Sequence, residues 1–586
     1  MLWSSAAVAQ VEQPLSVVYP PEGHETTAAQ IFLIGTAAPE GEVTVNGQRI
    51  DRSPAGHFAP SFPLQLGENV FRLQHNSETL VLRITRTAIE PPAPVGATFG
   101  EGSLSPAVDI ARLPGETMCF GAIAPPNAAV SVQLAGQQIP LLPQSSAIDL
   151  PPNSAALTNQ NQPISLVARR YQGCTPLTPS STGSVMPPGS VHDLGQPEFQ
   201  LRLNGETVTQ AGAGRVELLS PVNPQVIEVT AASGTARTGP STDYSRLTPL
   251  PQGTRSSVTG REGTWLRLDY GAWIQAAETR VIENAALPQS LIRSVTSRPA
   301  EGWTEVIFPL QTPVPVAVQQ ADRTFTLTLY NTTAQTDVIR LVDNPVIDRL
   351  DWQQVAPDRV QYTFNLKSNQ QWGYRLRYEG TSLVLSLRHP PAPAQRNLPL
   401  AGMRILLDPG HGGPEDLGSR GPTGSPEKEH ALVISNLLRD RLEAMGATVS
   451  MTRESDVDVS LQDRVALINQ LEPTIALSLH YNALPDEGNA EQTSGVSTYW
   501  YNTQAHSLAT YLHNDLVARL DRPSYGVFWD NLALTRPTVA PAVLLELGFM
   551  INPQEFEWIT DPQAQAQLAD ALAAAIARWR ETTEAR

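Results

Sequence analysis

The run Ile405-Leu-Leu-Asp-Pro-Gly-His-Gly-Gly413 constrains this chain more than any other stretch. Its apolar start reads as a buried strand, and Asp408-Pro409-Gly410 takes the chain out of the sheet abruptly at the strand's carboxyl end. One imidazole, His411, is thereby delivered to a sheet edge. Ligands of open α/β sheets bind at that edge, and the three glycines let a substrate or metal approach the backbone closely. A lone histidine after Pro-Gly carries little weight, so its company decides.

That company fills the last third of the chain. Glu427 opens a run, Lys428 to Gly446, whose Leu432, Ile434, Leu437, Leu438, Leu442 and Met445 fall mostly on one helical face, with Gly446 as the stop. A second strand, Thr474 to Leu479, ends in His480-Tyr481-Asn482-Ala483, and a third, Ala542 to Leu545, ends in Glu546-Leu547-Gly548-Phe549. Two imidazoles and a carboxylate make a catalytic-zinc ligand set with the fourth tetrahedral position left for water. A further carboxylate supplies the general base such a site needs.

Asp408-Pro-Gly-His-Gly-Gly413, Glu427-Lys428, Ser478-Leu-His-Tyr-Asn-Ala483 and Glu546-Leu-Gly-Phe549 with Asn552-Pro553 resemble, in order and spacing, the zinc-dependent N-acetylmuramoyl-L-alanine amidases of bacterial cell-wall turnover. The resemblance covers roughly residues 399 to 583. It implies His411, Glu427 and His480 as zinc ligands and Glu546 as the catalytic carboxylate. Glu429 is the rival to Glu427, which alone aligns with the family's Glu-Lys pair. The resemblance also implies peptidoglycan as substrate, with the bound water attacking the lactyl carbonyl and Glu546 shuttling the proton to the departing L-alanine amine. Asn482 and Arg536 are candidates for contacts to substrate or to the ligands, with a solvated surface charge as the other reading of Arg536. Alternatives are a wall-binding scaffold that has lost activity, and a zinc peptidase or deacetylase acting on another wall bond.

Length bounds the rest. At 586 residues the chain is too long for one core. A net charge of -17 argues against nucleic acid or an anionic membrane surface as partner. With 51 prolines, 40 glycines and 6% aromatic residues, strand-and-turn modules are favoured over a helical bundle. No apolar run approaches the roughly 18 residues needed to span a bilayer. Residues 1–12, with Ala7-Val8-Ala9, read as a signal-peptide remnant or a disordered terminus, so export to the periplasm or cell wall is expected. In an exported chain the only two cysteines, Cys119 and Cys174, favour one disulfide.

The expected organisation is several small all-β modules followed by an α/β domain with a twisted, largely parallel sheet. Residues 13–90 alternate in the manner of an immunoglobulin-like sandwich, and a Pro-rich linker follows. Residues 96–226 form a second β module carrying both cysteines. Residues 227–283 are similar to bacterial SH3-like barrels, with Trp265, Tyr270 and Trp273 reading as barrel core rather than as a peptide groove. Residues 284–389 loosely resemble targeting modules of such amidases, through which a wall-associated protein partner is expected. Residues 390–398 are a Pro-rich spacer, and 399–586 are the catalytic domain. Between His480 and Glu546 a strand, a helix and the turn-rich run Pro523 to Pro541 leave no length for a further helix of about 11 residues. The domain is therefore expected to work without an activator. The loop Pro485 to Glu491 reads as solvated surface.

Overall fold

The computed structural model describes residues 14–88, 94–144, 147–149, 164–166, 170–178, 186–395 and 397–584. The expected signal-peptide remnant and the first linker lie largely outside these residues, as do residues 179–185 of the expected second β module. The chain divides into two compact units. One joins residues up to Ile89 with Ser368–Tyr374 and Arg388–Arg586, and the other holds Glu90–Lys367 and Arg375–Leu387.

The second unit is built of β-sheets. Strands Thr117–Ile123 and Arg170–Pro176 lie antiparallel with Cys119 directly opposite Cys174, and the two are joined by a disulfide. Hydrogen bonding runs across residue 226: Ile110–Arg112 pairs with Arg255–Glu262, so the strands on either side of the expected boundary share one sheet. Trp265 and Trp273 are buried, and the guanidiniums of Arg112 and Arg267 lie 5.4 and 5.9 Å from the Trp273 ring. Two further sheets, of five and four strands, are formed by residues between Ser290 and Arg388.

The C-terminal domain of the first unit alternates strands and helices: β1 (Arg404–Pro409), α1 (Glu427–Ala444), β2 (Thr448–Met451), α2 (Leu461–Leu471), β3 (Ile475–Asn482), β4 (Val496–Trp500), α3 (Thr503–Leu520), β5 (Ser524–Trp529), β6 (Ala542–Phe549), α4 (Pro553–Thr560) and α5 (Pro562–Glu584). The sheet order is β2-β1-β3-β6-β4-β5. β2, β1, β3 and β6 are parallel, whereas β4 and β5 run the other way. Crossovers through helices carry the chain back to the same sheet end, as parallel pairing requires. α1 buries Ile434, Leu438 and Leu442, and α5 buries Leu572, Ile576 and Trp579, within the same core as Ile405, Leu407, Leu477 and Leu545. Ser460 caps α2 by accepting the Asp463 N–H. Two elements go beyond the sequence reading: edge strand β5 inside the turn-rich run, and α4, capped by Asn552.

The first 75 described residues form three small sheets around Ile31, Leu33, Val43, Phe58, Leu73 and Ile84. This β module packs against the C-terminal domain, and the loop Pro485 to Glu491 is the seat. The expectation of a solvated loop is therefore corrected. Ala490 is fully buried among Phe32, Ile34, Ala59, Phe549 and Ile551, and Asp486 and Glu487 are bonded to the module.

Candidate metal centre

β1 ends at Pro409, and His411 follows in the left-handed region at φ 58°. That conformation is uncommon for a non-glycine residue and marks a position that the surroundings impose. Arg464 imposes it from α2. Its guanidinium donates to the carbonyls of Pro409 and His411 at 2.7 Å each and to Asp408 at 2.6 Å. Arg453 adds donors to the Pro409 and Gly410 carbonyls. Asp408 also accepts from Thr452 and Ser478. Burial alone would raise the Asp408 carboxyl, but Arg464 and these hydroxyls hold it below its ordinary value.

Glu427 is the first residue of α1 and is only 3% exposed at its side chain. Its Oε2 lies 3.2 Å from His411 Nε2 and its Oε1 3.0 Å from His480 Nδ1. Further donors fix the carboxylate: Ser419 N–H at 2.9 Å to Oε2 and Tyr481 N–H at 2.9 Å to Oε1. Glu429, by contrast, is exposed. The structure therefore brings His411, Glu427 and His480 together, with one donor atom of each within 4.8 Å of the others.

Two glycines make room for this approach. A Cβ on Gly410 would stand 2.4 Å from His480 Cε1, and one on Gly418 would stand 2.6 Å from both Glu427 Oε2 and His411 Cδ2. Gly418 also has φ +68°, which disfavours any side chain. Asp416 orients the first imidazole, its Oδ1 lying 2.6 Å from His411 Nδ1 and leaving Nε2 to face Glu427. Burial lowers the affinity of His411 for a proton, yet the Glu427 and Asp416 carboxylates outweigh it and raise the pKa to about 9. The cluster thus favours positive charge at its centre, and its two nitrogens and one carboxylate are a donor set suited to a metal cation with an open position.

Glu546 sits on β6 directly opposite His480 on β3 and opposite Ser497 on β4. Its Oε2 is buried without a hydrogen-bond partner. Burial, and then the charge of Glu427, push its carboxyl well above the ordinary range. Asn482, two residues past His480, accepts the Ala483 N–H on its Oδ1 and also meets the Tyr499 hydroxyl. Arg536 follows the short turn Ala533–Thr535 and donates to the Asn531 carbonyl at 3.2 Å. Asp416, Ser419, Arg453 and Arg464 went unnoticed in the sequence. Only for Arg464 was there a local signal, an arginine on a face of α2 that also carries the buried Ile468.

Fold and site define the class: an α/β domain whose sheet edge carries a His–Glu–His cluster able to hold a metal ion, beside a buried carboxylate. The sequence profile of the N-acetylmuramoyl-L-alanine amidases matches residues 405–578. The germination-specific N-acetylmuramoyl-L-alanine amidase of Bacillus subtilis (strain 168) is 32% identical over 207 residues, 31% of this chain and 82% of that protein. The probable cell wall amidase LytH of Staphylococcus epidermidis (strain ATCC 12228 / FDA PCI 1200) is 38% identical over 173 residues, 29% of this chain, which spans only 56% of that relative. The crystal structure of N-acetylmuramoyl-L-alanine amidase from Clostridium difficile 630 aligns over 33% of this chain and 99% of its own at 27% identity, with a TM-score of 0.30. The chain belongs to the N-acetylmuramoyl-L-alanine amidase family.

Proposed function

We propose that residues 399–586 hydrolyse the amide between N-acetylmuramic acid and the L-alanine of peptidoglycan stem peptides, with zinc held by His411, Glu427 and His480. The observation that carries this reading is the convergence of three metal-capable donors within 4.8 Å, next to a buried carboxylate on the neighbouring strand. Zinc in such a site lowers the pKa of a water and polarises the carbonyl under attack.

The chain's own residues do the rest. Glu546, on the strand paired with that of His480, accepts the proton of the attacking water and returns it to the alanine nitrogen as the C–N bond breaks. Asp416 holds the His411 ring, while Ser419 and Tyr481 hold Glu427, so the ligands need no reorganisation as charge develops. Asn482 and Arg536 are assigned to contacts with substrate or with the ligands.

Action outside the cytoplasm, in the periplasm or the wall, belongs to the same proposal. The Cys119–Cys174 disulfide supports it, since such bonds persist in oxidising compartments. No helix among the described residues is long and apolar enough to cross a membrane. We assign wall association, and any wall-associated protein partner, to the β modules ahead of the domain.

Digestion of purified peptidoglycan followed by mass spectrometry tests the bond. Stem peptides with a free L-alanine amine and glycan strands with intact lactyl groups are expected. Products cut within the peptide, or glycans that have lost acetyl groups, would make the chain a peptidase or deacetylase; intact wall would make it a scaffold.

A further inference from the structure

The loop between β3 and β4 begins three residues after the proposed ligand His480, and two different parts of the molecule hold it. Its far end is fixed within the domain, where the Asn552 amide donates to the carbonyls of Ala490, Glu491 and Thr493 at 3.0 to 3.1 Å. Its near end is fixed by the β module some 460 residues upstream. Tyr19 donates its hydroxyl to Asp486 Oδ1, and His24 Nε2 lies 3.0 Å from Asp486 Oδ2. The Ala29 N–H donates to Glu487 Oε1 at 3.0 Å, and the Gln30 amide donates to the Glu487 carbonyl. Ser61 reaches the Gly488 carbonyl. Beneath these polar contacts Phe32, Ile34 and Ala59 close an apolar cluster with Ala490, Phe549 and Ile551, with Tyr19, Leu484 and Tyr525 at its margin.

The module also meets other parts of the domain. The Ala55 N–H donates to Glu557 on α4 at 2.8 Å, and the His57 ring packs edge-on against Phe556 at 5.3 Å. A Cβ on Gly421, in the segment between His411 and Glu427, would overlap the Phe556 ring. The module therefore braces both segments that flank the metal-capable cluster, one directly through Asp486 and one through Phe556.

We infer that residues 14–88 are a fixed wall of the catalytic unit, and that Asp486, clamped by Tyr19 and His24, is a positioning residue that sets the substrate-facing rim beside Asn482. The inference rests on the amidase reading. Its physical basis is that a loop carrying Asp486, Glu487 and Glu491 would otherwise turn toward water or toward the cation site, since carboxylates seek cations and solvent. With the clamp in place, the near end of the loop is ordered before substrate arrives, and the ordering cost is not charged against binding. A fragment beginning at residue 399 lacks this wall.

The test uses the full chain carrying Asp486→Ala, Asp486→Asn or Tyr19→Phe, with amide hydrogen exchange over 483–491, zinc content, and kcat and KM on soluble disaccharide-peptides. Asp486→Ala is expected to speed exchange in the loop and raise KM about tenfold while kcat and zinc content stay within about twofold, the pattern of lost ground-state positioning. Asp486→Asn, which keeps an acceptor for Tyr19, should recover much of the loss. Unchanged exchange in Asp486→Ala overturns the clamp; faster exchange with an unchanged KM overturns its role at the rim. If the parent chain itself left the amide uncut, the amidase reading would fall and the rim assignment with it, whereas exchange would still decide the clamp.

Discussion

His480 and Glu546 stand opposite each other on adjacent parallel strands, so the proposed third metal ligand and the proposed proton carrier are set by one pairing register. A slip of one residue would turn one of them to the other face of the sheet. The central β3–β6 pair therefore does more than support the fold, because it fixes the separation between metal site and base.

The ligand assignment predicts that His411→Ala, Glu427→Ala and His480→Ala each lose both bound zinc and hydrolysis, since a site with three protein ligands tolerates the loss of none. Glu429→Ala, at an exposed position, should keep both. Elemental analysis of the purified variants checks this. Zinc retained in Glu427→Ala and lost in Glu429→Ala would transfer the role to Glu429.

Arg464 and Asp408 form an ion pair whose side chains are 3% and 2% exposed. Removing one partner of such a pair leaves a buried charge without compensation, so Arg464→Met should destabilise the domain by about 3–5 kcal/mol. Because Arg464 also holds the carbonyls of Pro409 and His411, zinc affinity should fall in parallel. Denaturant unfolding and a zinc titration read the two effects separately. A variant of parental stability would mean that the pair is replaceable.

The Cys119–Cys174 bond closes a separation of 55 residues, for which chain-entropy arguments give a contribution of about 4 kcal/mol. Cys119→Ser with Cys174→Ser should lower the melting point of the unit made of Glu90–Lys367 and Arg375–Leu387 and leave hydrolysis unchanged. Two free thiols in the unfolded, non-reduced protein isolated from its compartment would contradict the bridge.

What the sequence made legible was local. The apolar run into Asp408-Pro-Gly and the helix opening at Glu427 are signals written within a few residues, and they led to the cluster. What it hid was tertiary. Asp416, Ser419 and Arg453 are ordinary polar residues until the fold brings a ring, a carboxylate or a carbonyl to them. β5 was hidden in a run rich in turn residues, because an edge strand with one neighbour needs little apolar alternation. Pro485 to Glu491 has the composition of a solvated loop because the partners of Asp486 and Glu487 are polar too, and they lie more than 450 residues away in the chain.

Three donors hold the metal and Glu546 moves the proton, a division of labour that Glu546→Gln separates. The amide keeps the shape but cannot accept a proton, so zinc content should equal that of the parent while turnover on peptidoglycan falls by about 10²- to 10⁴-fold. Loss of zinc in this variant would place Glu546 among the ligands, and full turnover would remove it from the reaction.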